Sequence, residues 1–248
     1  MLILFTDYGA SDPYVGQIKA VLHCDAPGIA VVDLLHTVPN YNAHAGGHLL
    51  AALAKSFPVG SVFLCVIDPG VGGDRAALVV EVDGRYYVGP DNGLLSVIAQ
   101  RAGQCRVWGI DWRPDTLSDT FHGRDVFAPV AARLATTGLP MEWLSEAGLA
   151  VSFDMADLPR VIYIDHYGNA WTGVRGGLLD RDAKLRIRDR ELVYRRTFVE
   201  AEKGQPFWYV NSVGLIEIAA NRSSATELLG LAIGDMVRLS GSPDSRLH

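Results

Sequence analysis

The sequence is poor in the features on which several classes of protein depend. Its 248 residues contain no apolar run near the ~20 needed to span a bilayer, and the segment MLILFTDYGASD lacks the basic stretch of a signal peptide. No run of lysine or arginine is longer than the pair Arg195 and Arg196, and the formal net charge is −6. Neither membrane insertion nor nucleic-acid binding is indicated, and we expect a cytoplasmic protein.

Cysteine is also scarce, with three residues at Cys24, Cys65 and Cys105. An odd number at wide spacing suits neither a disulfide framework nor a zinc site, and the apolar surroundings predict buried thiols. His44 and His48 would share one face of a helix, as some metal ligands do, but the glutamate of HExxH and a nearby third ligand are missing. Ordinary helix positions are the better interpretation of both histidines, and we expect no metal.

Two further catalytic motifs are missing. No GxSxG segment is present, so a serine hydrolase has no support. A glycine-rich stretch contains Gly70, Gly72 and Gly73 but does not complete GxGxxG, and no Gly-Lys-Ser/Thr follows it. A phosphate-binding loop is therefore not favoured.

Apolar runs rich in β-forming residues alternate with helical patterns in the N-terminal part of the chain. This alternation is typical of a parallel sheet with helices on both faces and predicts a doubly wound α/β domain over residues 1–152. The predicted strands are residues 2–6, 29–34, 62–67, 77–82, 86–88 and 106–110. The predicted helices, with apolar residues at three- and four-residue intervals, are residues 14–22, 43–55, 93–101 and 126–137.

The pattern changes across residues 152–160, where acidic residues and Pro159 interrupt it. Alternating β-branched and aromatic runs follow at residues 161–164, 184–187, 192–198, 207–210 and 236–239. They leave no room for long helices. We expect a second domain over residues 160–248, built as a small β-barrel or sandwich.

Polar residues directly after the strands are candidates for a site, because open parallel sheets bind ligands at the carboxyl ends of their strands. The residues of this kind are Thr6, Asp7, Asp33, His36, Asp68, Asp91 and Asn92. A polar cleft is one interpretation. Each residue taken singly also suits a turn or a helix cap, and that plainer interpretation is then favoured.

Two loops carry the residues best suited to chemistry. Asp68 and Arg75 stand at the ends of DPGVGGDR, whose glycines let the main chain bend so that carboxylate and guanidinium can meet. His122 lies in TFHGRD, before a predicted helix, in a loop that would open at the same sheet edge as Asp68. The plainer alternatives are a glycine turn closed by a salt bridge and a packed or surface histidine.

Five segments, taken together in this order, resemble the SAM hydroxide adenosyltransferases. These are adenosine-forming hydrolases of S-adenosyl-L-methionine (SAM) and relatives of the SAM-dependent fluorinase and chlorinase. The segments are FTDYGASDPYVGQIKA, VIDPGVGGDR, VGPDNGLLS, TFHGRDVFAPVAA and IDHYGNAWT, and NSVGLIEIAANRSSATELLG adds a sixth. The resemblance implies a Rossmann-like N-terminal domain, a C-terminal β-barrel domain and a homotrimer. Its active sites would lie where the N-terminal domain of one subunit meets the C-terminal domain of a neighbour.

The resemblance also implies the reaction, which is hydrolysis of SAM to adenosine and L-methionine by attack of water on ribose C5′, without a cofactor. The family's catalytic residues fall on Asp68, Arg75 and His122. Arg75 would favour the hydroxide form of the water, His122 would accept its proton, and Asp68 would orient Arg75. The halogenating relatives lack this trio, so hydrolysis is favoured. A halogenase that forms 5′-chloro-5′-deoxyadenosine and a non-catalytic SAM or adenosine-binding protein are the alternatives.

The resemblance further implies which residues bind the substrate. They are Asp7, Tyr41, Asp165, Tyr167, Asn169 and Ser212. Asp7 would hold the ribose diol, Tyr41 would pack beside the substrate, and the others would form a wall from the C-terminal domain. The sequence departs from the fluorinase pattern at Val213, which stands where an arginine follows the serine. It also has Tyr167 where phenylalanine is usual.

Overall fold

The computed structural model describes residues 1–240. Two compact units are present, one comprising Met1–Met155 and the other beginning at Ala156. Residues 241–248, the end of the predicted second domain, lie outside the described residues. The architecture is a mixed α/β fold with a large mixed sheet in the first unit and two smaller sheets in the second.

The first unit is built on one large sheet. Its strands are β1 (Leu2–Thr6), β2 (Val31–Leu35), β3 (Val62–Val66), β4 (Ala77–Val82), β5 (Arg85–Pro90), β6 (Cys105–Ile110) and β7 (Leu144–Glu146). The seven strands lie in the order β2-β1-β3-β5-β4-β6-β7. β1 is parallel to β2 and β3, and β3 is parallel to β5, whereas the pairs that involve β4, β6 and β7 are antiparallel. The parallel strands therefore end at one common edge.

The prediction of a parallel sheet is wrong for β4 and β6, and β7, which was not predicted, is also antiparallel to its neighbour. β4 and β5 form a hairpin around Asp83 and Gly84, whose φ angles are +48° and +74°. Two consecutive residues with positive φ are typical of the two-residue turn that Asp-Gly favours, and such a turn reverses the chain. All six strands predicted for this unit are nevertheless present, with bounds within two residues of the prediction.

Four α-helices belong to the first unit. They are α1 (Pro13–Asp25), α2 (Ala43–Leu53), α3 (Ser96–Gln100) and α4 (Ala128–Thr137). α3 is shorter than predicted, and a π-helical turn (Gly123–Phe127) precedes α4. α1 buries Val15, Ile18 and Leu22 in the same apolar cluster as residues of β1 and α4. This packing anchors the loop after β1 and the loop before α4, which carry candidate site residues.

The second unit contains two sheets. Its elements are β8 (Leu158–Ile164), β9 (Ala170–Arg175), β10 (Lys184–Ile187), β11 (Arg190–Leu192), β12 (Pro206–Val210), β13 (Leu215–Ala220), α5 (Ala225–Leu229) and β14 (Val237–Ser240). One sheet has the order β12-β13-β9-β8 and the other has the order β11-β10-β14. The prediction that this half lacks long helices is confirmed for the described residues, because α5 has five residues.

The strand predictions for the second unit are less accurate. The strand predicted over residues 192–198 is wrong over most of its length, because β11 ends at Leu192 and Phe198–Glu200 form a 3₁₀ turn. β9 and β13 were not predicted. β13 has the fully buried sequence LIEIAA, which lacks the alternation of a half-exposed strand.

The prediction of buried thiols is confirmed for one of the three cysteines. Cys65 is buried as predicted, whereas Cys24 and Cys105 are exposed. Cys24 lies off the face of α1 that carries Leu22, and Cys105 is the first residue of β6. Among residues 1–240, no helix combines the length and apolar character needed to cross a membrane.

Candidate active site

Asp7 and Asp68 lie at the carboxyl edge of the parallel strands. β1 and β3 are paired so that Thr6 is opposite Val66, and the backbone N–H of Asp7 donates to the carbonyl oxygen of Val66 at 3.3 Å. Both carboxylates line an open cleft of about 260 Å³ within the first unit. Other residues of its wall are Tyr8, Tyr14, Tyr41, Thr120, Phe121, His122 and Gly123. Two of the polar side chains expected at this edge, Asp7 and Asp68, therefore share one cleft with aromatic rings.

Asp68 holds Arg75 in a bidentate ion pair. Arg75 Nε donates to the two carboxylate oxygens at 3.1 and 3.0 Å, and Nη2 donates to Oδ2 at 2.5 Å. The side chains are only 11 % (Arg75) and 6 % (Asp68) exposed, and the guanidinium lies 5.2 Å from the ring centroid of Phe127. A sheltered bidentate pair is more rigid than an exposed salt bridge. Asp68 thus fixes the orientation of the guanidinium.

A glycine brings the Asp68–Arg75 loop against the loop before α4. Gly72 has a φ of +79°, and a Cβ on it would lie 2.4 Å from the backbone oxygen of Asp119. Only glycine combines this conformation with so close an approach of two backbones. Because Asp119 and His122 belong to the same loop, this contact brings His122 near Arg75.

Arg75 also contacts His122, with 3.0 Å between Nη2 and Nδ1. A guanidinium has donors only, so Nδ1 must accept, and the neutral imidazole then carries its proton on Nε2. Partial burial and, next, the positive charge of Arg75 lower the pKa of His122 from 6.5. His122 is therefore held neutral and in one tautomer.

This tautomer changes the chemistry available to His122. With Nδ1 occupied by Arg75 and Nε2 protonated, the ring has no free lone pair to take a proton from water. It offers Nε2–H as a hydrogen-bond donor instead. The base role expected from the sequence would require the contact with Arg75 to break.

Asp7 and Tyr41 also line the cleft and lie in the loops after β1 and β2. The backbone N–H of Tyr41 donates to Asp7 Oδ2 at 3.1 Å. Tyr41 has a φ of +61°, which is uncommon for an aromatic residue, and is 75 % exposed. Burial raises the pKa of Asp7, and the hydrogen bond from Tyr41 opposes that rise. The Tyr41 ring is thus open to a ligand beside a carboxylate.

Tyr8 is a polar residue of the cleft that the sequence analysis missed. A Cβ on Gly123 would lie 2.0 Å from the Tyr8 hydroxyl, so this oxygen lies directly against the residue after His122. Burial first, and then the charges of Asp7 and Asp68, raise the pKa of Tyr8. The hydroxyl therefore stays protonated. Its signal in the sequence is its place directly after Asp7 in FTDYG.

The other predicted substrate-binding residues belong to the second unit. Asp165, Tyr167 and Asn169 lie in the loop between β8 and β9. Asp165 Oδ1 accepts hydrogen bonds from the backbone N–H groups of Tyr167 and Asn169, each at 2.9 Å, and Oδ2 accepts from Asn169 Nδ2 at 3.0 Å. Tyr167 is 75 % exposed. Ser212 is exposed in the turn between β12 and β13. One carboxylate therefore organises the β8–β9 loop.

The remaining polar residues at strand ends have structural partners. Asp33 Oδ1 lies 3.1 Å from His36 Nε2. Asp91 accepts from the backbone N–H of Ala150 at 2.9 Å, and Asn92 Nδ2 donates to a backbone carbonyl at 2.7 Å. For these positions the plainer interpretation describes what the side chains do.

The two histidines of α2 pack against their surroundings. His44 stacks on Phe153 with 4.3 Å between ring centroids, and His48 is buried with Nδ1 3.3 Å from Arg101 Nη2. In the part of the chain that the structure describes, no group of three or more His, Cys, Asp or Glu side chains is placed to hold a metal ion.

Known proteins resemble both halves of the chain. The family model for the SAM hydroxide adenosyltransferase N-terminal domain matches residues 2–144, and that for the C-terminal domain matches residues 159–238. A protein of Thermus thermophilus named (R)-S-adenosyl-L-methionine hydrolase is 40 % identical over 94 % of this chain and 97 % of its own length. A fluorinase of Actinopolyspora mzabensis is 26 % identical over 98 % of this chain and 97 % of its own.

A solved structure has the same fold. It is described as an uncharacterized conserved protein from Thermotoga maritima and superposes with a TM-score of 0.87 at 32 % identity, covering 96 % of this chain and 99 % of that chain. The two family models together cover most of the chain, and the Thermus thermophilus relative matches nearly all of it. The chain belongs to the SAM hydroxide adenosyltransferase family.

Proposed function

We propose that this protein hydrolyses SAM to adenosine and L-methionine. The observation that carries the proposal is the hydrogen-bonded arrangement of Asp68, Arg75 and His122 beside the cleft. The chain is also more similar to a named SAM hydrolase, at 40 % identity, than to a fluorinase, at 26 %. By the resemblance described above, the halogenating relatives lack the trio.

In the proposed reaction the oxygen of a water molecule attacks ribose C5′ in line with the C5′–S bond. The C5′–O bond forms while the electron pair of the C5′–S bond passes to sulfur, so the sulfonium becomes the neutral thioether of methionine. The water loses one proton to solvent, and the products are adenosine and L-methionine. Because a sulfonium is already a good leaving group, the reaction requires no acid on sulfur and no cofactor.

Asp68, Arg75 and His122 activate this water. Free water is a very weak acid, and a fixed guanidinium beside it stabilises the hydroxide that develops during attack. The Nε2–H of His122 donates to the same oxygen and orients its remaining lone pair. Asp68 keeps Arg75 in place and balances its charge. Catalysis on this view depends on preorganised charge and donors and not on a histidine base.

The substrate-binding roles follow the same proposal. Asp7 accepts hydrogen bonds from both ribose hydroxyls, since a carboxylate has lone pairs for two donors. Tyr41 offers the flat face of an exposed ring. The C-terminal wall is formed by Asp165, Tyr167, Asn169 and Ser212. Fixing the sugar in this way lowers the entropic part of the barrier, which can amount to roughly 7–11 kcal/mol in favourable cases.

We propose the finer architecture by resemblance to the family. Residues 1–152 form a Rossmann-like domain, residues 160–248 form a β-barrel domain, and three chains assemble as a homotrimer. The C-terminal domain of one subunit then completes the site of a neighbour, and the enzyme acts in the cytoplasm. Size-exclusion chromatography with light scattering tests the assembly, because a monomer in solution would contradict it.

Chromatography of the products formed from SAM tests the reaction. The purified protein is incubated with SAM, first without chloride and then with excess chloride. We expect adenosine and methionine under both conditions. Formation of 5′-chloro-5′-deoxyadenosine would identify a halogenase, and SAM binding without turnover at any protein concentration would identify a non-catalytic binding protein. Either result overturns the proposal.

Substitution of the trio tests the roles of its members. Arg75→Ala removes the guanidinium and His122→Ala removes the donor, so each should lower kcat by orders of magnitude while SAM binding, measured by calorimetry, stays largely intact. Arg133→Ala is a matched control, since Arg133 is an exposed arginine paired with Glu142. Near-normal rates in both trio variants would contradict the assignment.

A further inference from the structure

A buried carboxylate lies at the centre of the second unit. Glu217 is only 2 % exposed and belongs to β13, between β12 and β9 in the four-stranded sheet. Every other residue of this strand, LIEIAA, is apolar. Burying a carboxylate costs free energy unless hydrogen bonds compensate it. Filling space alone therefore does not explain an acid at this position.

Three side-chain donors stabilise the carboxylate of Glu217, two of them through direct hydrogen bonds. Tyr209 Oη donates to Oε1 at 2.5 Å, and Asn211 Nδ2 donates to Oε2 at 3.1 Å. The side-chain amide of Asn169 favours the charged carboxylate as well, but by less than Tyr209 and Asn211 do. Burial raises the pKa of Glu217, and the donors from Tyr209 and Asn211 oppose that rise. All three partners are donors, which is the environment of a carboxylate in its ionised form.

One arm of this network leads to the β8–β9 loop. Asn169 Nδ2 donates to Asp165 Oδ2 at 3.0 Å, and Asn169 directly precedes β9, whose Trp171 is paired with Glu217 of β13. Asp165 in turn accepts from the backbone N–H groups of Tyr167 and Asn169. Asn169 therefore links Asp165 and the course of the loop to the start of β9, beside Glu217.

The other arm leads to the turn between β12 and β13. Asn211 uses its amide nitrogen on Glu217, which leaves its oxygen Oδ1 facing the turn. Oδ1 accepts from the backbone N–H groups of Val213 at 3.1 Å and Leu215 at 3.0 Å. Ser212 is the exposed residue that this capped turn presents. Its position therefore depends on Glu217 through Asn211.

We propose that Glu217 is a positioning residue that sets the geometry of the β8–β9 loop and the β12–β13 turn for binding SAM. This inference rests on the proposed function, in which these two segments form the C-terminal wall. Glu217 itself touches no substrate and acts through Asn169 and Asn211. The third donor, Tyr209, leads to neither segment and packs on Phe198 and Phe207.

Matched variants are possible because Asn169 and Asn211 lead to the two predicted substrate-binding segments, whereas Tyr209 does not. Glu217→Met keeps the side-chain length and removes both carboxylate oxygens, which leaves the donors of Tyr209 and Asn211 unpaired and lowers the stability of the fold. Glu217→Gln is the conservative variant, since it keeps one acceptor oxygen but loses the charge. Tyr209→Phe is the control, because it removes one hydrogen bond to Glu217 and leaves both arms intact.

Steady-state kinetics separates positioning of the two segments by Glu217 from stabilisation of the fold alone. SAM affinity is measured by calorimetry and the melting temperature is measured in parallel. We expect Glu217→Met to raise KM and the Kd for SAM at least about tenfold, since bonds to charged groups are the strong ones, with a smaller effect on kcat. Glu217→Gln should lie between that variant and the wild type. Tyr209→Phe should keep the wild-type KM even if its melting temperature falls.

The kinetic results decide whether Glu217 acts by positioning. A graded rise in KM with an unchanged control supports positioning by Glu217. Wild-type KM in both Glu217 variants, or equal KM increases in Tyr209→Phe, would overturn it. If Glu217→Met fails to fold, the comparison of Glu217→Gln with Tyr209→Phe still decides. If the wild-type protein forms no adenosine, the proposed function fails, and the Kd values for SAM then test Glu217 separately.

Discussion

Replacement of Gly72 by alanine tests whether the contact between the two loops assembles the trio. The new Cβ would lie 2.4 Å from the backbone oxygen of Asp119, whereas 3.4 Å is an ordinary contact, so the loops must separate by about 1 Å. A misplacement of about 1 Å can lower a catalytic rate by roughly 10²-fold. We therefore expect Gly72→Ala to lower kcat for adenosine formation about 10²-fold, because Arg75 and His122 move apart.

The same change has a smaller effect on stability. The φ of Gly72 is +79°, and an L-residue in a left-handed conformation costs about 1–2 kcal/mol. In a chain of this size each kcal/mol lowers the melting temperature by about 2–4 °C, so the variant should still be folded at 25 °C. Loss of activity would then reflect the site and not unfolding.

Gly70→Ala is the matched control for this experiment. A Cβ on Gly70 would lie 3.7 Å from Cγ of Arg75 and 3.9 Å from Oδ1 of Asp68, both ordinary contacts. We expect its kcat to stay near that of the wild type. Both variants are assayed by chromatography of adenosine under saturating SAM. Equal rates for Gly72→Ala, Gly70→Ala and the wild type would refute the link between loop contact and catalysis.

Two more predictions concern pH and the cleft. The pKa of His122 is lowered from 6.5, so the neutral form persists below that pH; kcat should be flat from pH 8 to 6.5 and fall only at lower pH. The pKa of His122 is lower in the folded chain than in the unfolded chain, so the unfolded chain takes up the proton first as pH falls. The contribution of neutral His122 to the free energy of unfolding is therefore complete above pH 6.5 and is lost as pH falls through the folded pKa. Arg75→Met should move that pKa back toward 6.5 in an NMR titration, and an unchanged value would contradict the tautomer. Tyr8→Phe removes a protonated hydroxyl beside Gly123 and should lower kcat roughly fivefold, the worth of about one hydrogen bond, while Tyr14→Phe stays near wild type; equal rates would remove Tyr8 from the site.

Some parts of the fold were predictable from local sequence and others were not. The strand-and-helix alternation of the first unit identifies its six predicted strands, since each is a short and mostly apolar run. The reversal between β4 and β5 was also present in the sequence, as the Asp83-Gly84 pair, but the expectation of a parallel sheet hid it. β13 escaped prediction because LIEIAA is buried on both faces and has no period of two.

The candidate site was also predictable only in part. The pairing of Asp68 with Arg75 could be predicted, because they are seven residues apart in a glycine-rich loop. The contact of Arg75 with His122 joins residues 47 positions apart and depends on Gly72 meeting Asp119, which no local pattern reveals. The base role of His122 was expected from the family's catalytic trio and the general chemistry of imidazole, whereas the tautomer is set by which nitrogen faces Arg75.

The burial of Glu217 could not be predicted from the sequence either. A single acid within an apolar run could be an exposed residue of an edge strand or a buried functional group, and only its burial and its donors separate the two. Its partners Asn169 and Asn211 lie in segments that are far apart in sequence. Register between β12, β13 and β9 brings them together.

Isotope labelling tests the central claim, attack of an activated water on ribose C5′, most directly. The protein is incubated with SAM in ¹⁸O-labelled water, and the adenosine is analysed by mass spectrometry with fragmentation of the ribose. We expect one labelled oxygen at the 5′ position in the wild type, and a rate of labelled product reduced by orders of magnitude in Arg75→Ala. Adenosine without the label, or labelling at an undiminished rate in Arg75→Ala, would contradict this mechanism.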